Sequence, residues 1–276
     1  MSAQGSKPIF CCSGAHSDTS AFRSDRSKFS ASSSFFSTSA SPFSSCSVVQ
    51  GTFFIASTAA PNSLSGTSSC FFSGGRTRSC ADSRSPESLK NYDGVAFVST
   101  TGELPIPDPQ GLLDWIKAGH AFIGIHAASD TFHKWPGYID MLGGEFDHHG
   151  AQLSVEVLNE DPQHPANAAL GKTWTLTREE MYQFKNYDPT RVHDLLDLDK
   201  KPERPFTPGH FPVSWCKSYG NGKVFYTSLG HREDIIDPDP NLANRVNSVE
   251  ISKAYDAHIL NGIEWALGLK KSKSVP

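Results

Sequence analysis

The chain has 276 residues and a formal net charge of −4, from 25 basic and 29 acidic side chains. This length accommodates one large or two small domains. The sequence has no run of 18 apolar residues, which argues against a membrane span. It also lacks a basic stripe with interleaved aromatic residues and a secretory-type start, so neither a nucleic-acid partner nor export is expected. We expect a cytoplasmic protein without a membrane partner.

The composition changes abruptly near residue 90. Residues 1–90 hold 27 of the 37 serines, five of the six cysteines and none of the five tryptophans. Their charge balance is +4 (eight basic minus four acidic), whereas residues 91–276 have −8 (17 minus 25). We predict a Ser-rich low-complexity segment over 1–87, a folded domain over 88–270 and a short tail over 271–276.

Two explanations of the 1–87 segment stay open. One is a disordered extension, in which 47–57 is the best strand candidate. The other is an artefact of the gene model, because alanine codons read on the complementary strand encode Ser, Cys, Gly or Arg, and glutamate codons encode Phe or Leu. RNA sequencing across the residue 90 junction distinguishes them, since a continuous in-frame transcript excludes the artefact.

A strand–helix–strand unit opens the second part. The apolar run 92–100 predicts a buried strand, and residues 107–119 have leucine, tryptophan and isoleucine at helical spacing. The run AFIGIH, residues 121–126, predicts a second buried strand. Such a unit implies a parallel sheet, with Ser99 and His126 both at the carboxyl edge where functional groups gather.

The remaining elements are predicted from alternation, turns and helical spacing. A short helix ending at Gly143 precedes a loop that carries Asp147, His148 and His149. Five further strands are indicated, two of them forming a hairpin around the Gly-Asn-Gly turn at 220–222. Apolar residues at helical spacing over 245–269 predict a long closing helix.

Histidines are the main candidates for chemistry. Ten of the eleven lie in the second part, and His126, His149 and His231 fall near one edge of the predicted sheet. A lone histidine at a strand end is more often structural, but several imidazoles with a carboxylate such as Glu180 would suit zinc or another divalent ion. The spacings match no compact metal motif, so both interpretations stay open.

The turn after the 121–126 strand has the layout of a nucleophile elbow, a sharp strand-to-helix turn built from small residues. Its apex is His126, not serine or cysteine, which argues against an acyl-enzyme. Ser129 and Asp130 are predicted to cap the following helix. Cys216 is predicted to be a buried, apolar-like residue without a catalytic role.

Several stretches together resemble the ThuA-like (trehalose utilisation) family of the class I glutamine amidotransferase-like superfamily. The resemblance spans roughly residues 88–270. The matching stretches, in chain order, are YDGVAFVSTTGE, AGHAFIGIHAASDT, WPGYIDMLGGEFDHH, HPANAAL, EEMYQF, PVSWCKSYGNGKVFYTSLGH and ILNGIEWALG. The amino-terminal strand, turn and helix of the family have no counterpart in residues 1–90.

The resemblance implies an α/β fold: a flavodoxin-like three-layer sandwich with a mainly parallel sheet. It also implies sugar metabolism without glutaminase activity, since His126 replaces the superfamily's elbow cysteine. The polar cluster would then consist of His126, His149, Glu180 and His231. A divalent metal, with zinc as the first candidate, is expected on His126, His149 and His231.

Three functional hypotheses follow. The first is a hydrolase, lyase or isomerase for trehalose or a keto-disaccharide, in which His126, His231 and Glu180 are catalytic. A homo-oligomer is compatible with this hypothesis. Its substrate-binding residues would be Ser99, Asp130, Trp135 and Tyr182. The second is a non-catalytic carbohydrate-binding module, with Trp135, Tyr138, Tyr182 and Phe184 stacking on sugar. The third is an inactive product of a truncated gene.

Overall fold

The structure is a computed structural model that describes residues 9–13, 43–49, 52–57, 89–90 and 92–273. The first three ranges are backbone strands: β1 (Ile9–Ser13), β2 (Phe43–Val49) and β3 (Thr52–Ser57). The rest of the predicted 1–87 segment lies outside the described residues, so that prediction and the tail prediction stay untested. The strand candidate at 47–57 falls on the end of β2 and on β3.

The predicted strand–helix–strand unit is present. It consists of β4 (Gly94–Val98), α1 (Pro109–Lys117) and β5 (Ala121–Ile125), and β4 and β5 pair in parallel. Asp108 caps α1 by accepting a hydrogen bond from the Gly111 backbone N–H at 2.9 Å, and Pro109 at the first helical position costs no hydrogen bond. Local sequence therefore defines the start of α1.

The other elements complete a mixed sheet. They are α2 (Pro136–Leu142), β6 (Glu145–His149), β7 (Leu153–Asn159), β8 (Thr173–Glu179), β9 (Tyr182–Lys185), β10 (His193–Lys200), β11 (Pro208–Tyr219), β12 (Gly222–Thr227), α3 (Glu233–Ile236) and α4 (Val249–Ala266). The main sheet has the order β2-β3-β1-β4-β5-β12-β11-β10-β7-β8, and β6 pairs with β9 separately. The predicted hairpin (β11, β12) and closing helix (α4) are confirmed.

The expectation of a mainly parallel, flavodoxin-like sheet is not confirmed. Within residues 92–273 only β4, β5 and β12 run parallel, and the four pairings from β12 to β8 are antiparallel. A parallel pairing needs a crossover of a dozen or more residues, usually helical. Between β7 and β12 the only helix described is the short 3₁₀ segment Pro165–Asn167, so these strands meet through antiparallel connections.

Two apolar cores lie on opposite faces of the central strands. Successive side chains of a strand point to opposite faces, and β4 sends Val95 and Phe97 to the core under α1 and α2 and Ala96 to the core under α4. Helix α4 lies close to the sheet at Gly262, where an added Cβ would overlap the Phe225 ring. The helices on both faces thus hold the carboxyl ends of β4, β5 and β12 in fixed positions.

Within the described residues, no helix combines the length and the apolar character needed to cross a membrane.

Candidate functional site

The turn after β5 presents His126 in a strained conformation. His126 has φ +52°, and Ser99, at the end of the neighbouring strand β4, has φ +49°. Left-handed backbone at residues other than glycine is uncommon and concentrates at functional sites. The backbone N–H of Ser99 donates to the Ile125 carbonyl at 3.0 Å, so the two strand ends are tied together.

Two buried tyrosines hold this turn, the 3₁₀ segment His126–Asp130. The Tyr226 hydroxyl donates to the His126 carbonyl at 2.9 Å and is hydrogen-bonded to Ser129 Oγ at 2.8 Å. The Tyr138 hydroxyl donates to the Ala128 carbonyl at 2.8 Å. The small side chains of Ala127 and Ala128 are fully buried, which lets the turn lie against these rings.

The His126 ring has a defined tautomer. Its Nδ1 lies 2.8 Å from the Ser228 carbonyl, which can only accept, so Nδ1 carries the proton. In the neutral ring Nε2 is then an acceptor, and it lies 3.2 Å from the Tyr182 hydroxyl. Burial raises the pKa of Tyr182 far above its ordinary value, so this phenol stays protonated and donates. An imidazole oriented by a carbonyl on one nitrogen is typical of metal-ligating histidines.

Glu180 is the centre of the site. One carboxylate oxygen lies 3.3 Å from His231 Nδ1 and 3.7 Å from His126 Nε2, and the other lies 3.3 Å from His149 Nδ1. Burial alone would raise the pKa of Glu180, but the hydrogen bond and charge of His231, ahead of the other neighbouring histidines, hold it below its ordinary value. Glu180 is therefore an ionised, largely buried carboxylate surrounded by imidazoles.

His231 is the ionisable partner of Glu180. The hydrogen bond to the Glu180 carboxylate raises the pKa of His231 above 6.5, against the opposing effect of burial. Its ring lies 5.5 Å from that of His126, centroid to centroid. His231 is also about one-third exposed. It thus connects the buried carboxylate to solvent, as does the more exposed His149.

A second glutamate, Glu179, positions His231. Its Oε1 accepts from the backbone N–H groups of Gly230 at 3.0 Å and His231 at 2.9 Å. Glu179 is fully buried, and burial raises its pKa despite these hydrogen bonds. Gly230 has φ +113° and lies against the Tyr255 hydroxyl, so a side chain would not fit there. Sequence reasoning missed this role: Glu179 ends β8 and Glu180 follows it, and successive side chains of a strand point to opposite faces.

The remaining predicted residues lie around the cluster. His149 contacts Glu180 but belongs to β6, so its predicted loop is wrong: residues 145–149 pair with β9. The predicted helix caps are also wrong, since Asp130 bonds Thr101 and His133, and Ser129 bonds Tyr226. The turn is a 3₁₀ segment without a side-chain cap, because tertiary partners engage both polar groups.

Trp135 and Tyr138 belong to the apolar core under α1 and α2. Their rings lie 5.9 Å apart, and Trp135 is 5.1 Å from Phe132. Tyr138 is 1 % exposed, so it cannot stack on a sugar in this structure.

Cys216 is fully buried as predicted, 3.7 Å from His164 Nε2, and burial raises the pKa of its thiol far above the ordinary value.

A cleft of about 250 Å³ opens beside His231. Its other lining residues are Gln152, Arg232, Glu233, Asp234, Leu242, Ala243 and Asn244. The cleft therefore meets the cluster of ionisable groups at His231.

Three of the polar groups could share one ion. Ligand atoms of His126, Glu180 and His231 all lie within 4.8 Å of one another. Tetrahedral zinc with bonds of about 2.0–2.2 Å separates its ligand atoms by about 3.4 Å, and the carboxylate–imidazole distances of 3.3 and 3.7 Å are close to that value. Two histidines and one glutamate also form a known catalytic zinc set.

The sequence matches the ThuA family, described as trehalose utilisation, over residues 76–266. The chain belongs to the ThuA family. A protein described as ThuA-like from Bacteroides uniformis ATCC 8492 has a similar structure, with a TM-score of 0.52 and 22% identity over 70% of this chain and 75% of that one. One from Parabacteroides merdae ATCC 43184 gives a TM-score of 0.52 and 20% identity, over 68% and 75% of the two chains. Comparison with curated proteins returns no match.

The two structural likenesses support the fold of this ThuA-family chain. The family match includes all of His126, His149, Glu180 and His231. The α/β class and the family expected from the sequence are therefore confirmed, whereas the mainly parallel sheet is not.

Proposed function

We propose that this protein acts in sugar metabolism, on trehalose or a keto-disaccharide, by proton transfer at the cluster of Glu180, His126 and His231. The family description as trehalose utilisation supports the substrate class. The single observation that carries the proposal is the buried Glu180 carboxylate, placed between imidazoles at 3.3–3.7 Å, one of which, His231, lines a cleft.

The protonation states suit general acid–base chemistry. Glu180 has a lowered pKa and is a carboxylate near neutral pH, whereas the raised pKa of His231 favours its protonated form. A carboxylate beside an imidazolium can accept a proton from a sugar carbon or hydroxyl and return one to a leaving oxygen. This combination serves hydrolysis, elimination or isomerisation, and no thiol takes part.

We further propose that a divalent metal, with zinc as first candidate, can replace the Nδ1 proton of His231 and be held by His126 Nε2, Glu180 and the then neutral His231 Nδ1. A bound ion would supply Lewis-acid polarisation of a sugar oxygen and a more acidic water. His149 lies on the other Glu180 oxygen and would orient the carboxylate. Two acceptors hold the ligand histidines in place. Glu179 accepts from the backbone N–H of His231, and the Ser228 carbonyl accepts from the ring Nδ1–H of His126.

The metal is tested by measuring the zinc content of the purified full chain and of His126→Ala and His231→Ala. We expect near-stoichiometric zinc in the wild type and loss in both variants. His148→Ala is the matched control, because His148 lies next to His149 but pairs with Asp147 and Glu203 instead. Background zinc in the wild type, or full zinc in both variants, would exclude this metal site.

The reaction is tested with trehalose and a 3-keto-disaccharide as substrates of the wild type and Glu180→Gln. We expect turnover by the wild type and a loss of at least about a hundredfold in Glu180→Gln, the lower range for removing a general acid or base. Sugar binding without turnover would favour the alternative, a non-catalytic carbohydrate-binding module. An inactive chain without sugar binding would favour the truncated product. The cytoplasmic location and a homo-oligomer remain predictions.

A further inference from the structure

We propose that the cleft beside His231 is a subsite for one neutral, unphosphorylated sugar ring. This inference rests on the proposed function and adds to it the ring-binding residues and the charge of the substrate. We call this space the side cleft. Its polar side chains Gln152 and Asn244 lie outside the Glu180 cluster, and His231 is shared by both.

One wall of the side cleft is held in place by hydrogen bonds. Leu242, Ala243 and Asn244 form it, and the guanidinium of Arg245 anchors it from behind. Arg245 donates to the carbonyls of Asp234 at 3.0 Å and Asn247 at 3.1 Å, and to those of Asp237 and Asp239. Ordering a polar surface segment in this way costs conformational entropy. A wall that is held in place before ligand arrives lowers the cost of binding.

A second anchor fixes the wall to the catalytic side. The Asp234 carboxylate accepts from the backbone N–H groups of Val246 at 2.6 Å and Asn247 at 2.9 Å. Asn247 in turn bridges to the backbone of Thr177 in β8, with contacts of 2.8 and 2.9 Å. The wall is therefore tied to β8, which ends at Glu179 and is followed directly by Glu180.

The charges lining the side cleft are balanced. The Arg232 side chain donates to the Asp234 carboxylate at 2.8 Å, and Glu233 adds a further acid. His231 is paired with Glu180. Each cationic side chain of the lining therefore already has an acidic partner, so a phosphate group would meet acidic side chains without a cation reserved for it. This electrostatic arrangement favours a neutral polyol over a sugar phosphate.

The size and chemistry of the lining fit a single ring. The volume of about 250 Å³ lies below the roughly 300–1,000 Å³ of pockets for drug-sized ligands. Gln152 and Asn244 offer amide donors and acceptors for hydroxyl groups, and Leu242 offers an apolar surface for a C–H face. With one ring in the side cleft, the bond to the next group of a disaccharide would lie towards His231 and Glu180.

Calorimetric titration of the full chain with glucose and with glucose 6-phosphate tests the proposal. We expect glucose to bind, and the phosphate ester to bind no more tightly. Gln152→Ala and Asn244→Ala should each raise the Kd for glucose about three- to tenfold, as expected for one lost hydrogen bond. Asn241→Ala is the matched control: it lies in the same segment but outside the lining, and its Kd should equal the wild-type value.

The outcomes separate this proposal from the proposed function. Absence of glucose binding, tighter binding of glucose 6-phosphate, or an unchanged Kd in both lining variants would overturn the subsite. Glu180→Gln should still bind glucose while it loses turnover, because Glu180 is not part of the lining. If instead Glu180→Gln keeps turnover and the lining variants lose binding, the subsite stands and the acid–base role of Glu180 fails.

Discussion

At the scale of single residues, two histidines that contact the same carboxylate differ in protonation and in exposure. His126 is buried, and its Nδ1 proton is committed to the Ser228 carbonyl. His231 is partly exposed, and its Nδ1 faces Glu180. One ring is thus oriented as an acceptor and the other is favoured as a cation. The difference arises from the Ser228 carbonyl, which engages His126 Nδ1, and from the greater exposure of His231.

Glu180→Gln should lower the pKa of His231. The carboxylate stabilises the imidazolium through its hydrogen bond and charge, and an uncharged amide removes the charge. NMR titration of the histidine ring signals would show the His231 transition move to lower pH.

Glu203→Gln provides the control for this titration. Glu203 contacts His148 at 3.3 Å and helps to raise the pKa of that histidine. The control should therefore shift the transition of His148 and leave that of His231 in place. An unshifted His231 transition in Glu180→Gln would mean that the two side chains are not paired in solution.

At the scale of elements, His133 holds the turn at His126–Asp130 against β6. Its Nε2 lies 2.7 Å from Asp130 and its Nδ1 lies 2.7 Å from Glu145 at the start of β6. Both partners are carboxylates that accept, so the protonated ring satisfies both. Lys185 and Asn186 face Glu145 from β9 and the residue after it, and Thr101 faces Asp130. The ring thus links the element bearing His126 to the two-stranded sheet bearing His149 and Tyr182.

The stabilisation from His133 should decrease as pH rises. Burial alone would lower the pKa of His133, but the hydrogen bonds and charges of Glu145 and Asp130 raise it above 6.5. The folded state therefore binds this proton more tightly than the unfolded state. Its contribution is fully present below about pH 6.5 and is lost as pH rises through the raised pKa.

Urea denaturation of the wild type and His133→Gln at about pH 5.5 and about pH 9 measures this contribution. The difference in the free energy of unfolding between the two proteins should be larger at the lower pH. In a Glu145→Gln background the dependence should be weaker, because one carboxylate partner is gone. Equal differences at both pH values would show that the charge on His133 does not contribute.

At the scale of the whole molecule, two types of sheet meet at β12. On one side β12 pairs in parallel with β5, and on the other it pairs antiparallel with β11. Glu180 comes from the antiparallel part, just after β8, whereas His126 comes from the parallel part. The candidate ligands His126, Glu180 and His231 are 51 to 105 positions apart along the chain. An ion coordinated by all three would therefore bind only the folded protein.

Zinc should therefore stabilise the whole molecule. A ligand that binds only the native state adds about 2.7 kcal/mol to the free energy of unfolding at a hundredfold excess over its Kd. The wild type should melt at a higher temperature with zinc than with a chelator, and His126→Ala should show no such shift. Magnesium serves as control because it prefers oxygen ligands. An equal rise with zinc in His126→Ala would place the ion elsewhere.

Much of the local structure was predictable from the chain alone. The runs of apolar residues at 94–98 and 121–125 form strands, the helical spacing at 107–119 forms α1, and Gly220-Asn221-Gly222 turns a hairpin. These signals work because periodicity and turn chemistry act over a few residues. The family resemblance, carried by motifs along 88–270, also held.

The misassignments share one physical cause, which is that the deciding contacts are distant in sequence. The segment 145–149 is a strand because β9, over 30 residues away, pairs with it. The sheet order on the far side of β12 depends on which antiparallel edges meet, and alternation within a strand does not encode its neighbour. Asp130 leaves its predicted capping role because Thr101 and His133 engage it.

Local sequence alone therefore accounts for the strand that delivers His126, for its small-residue turn and for the absence of a thiol at the apex. The candidate histidines could also be identified from their positions near predicted strand ends. Only tertiary contacts decide that Glu180 is the centre, that Glu179 holds the His231 backbone, and that Arg245 fixes the side cleft. Distances of 3.3–3.7 Å between such remote side chains arise when the whole sheet is assembled and both cores are packed.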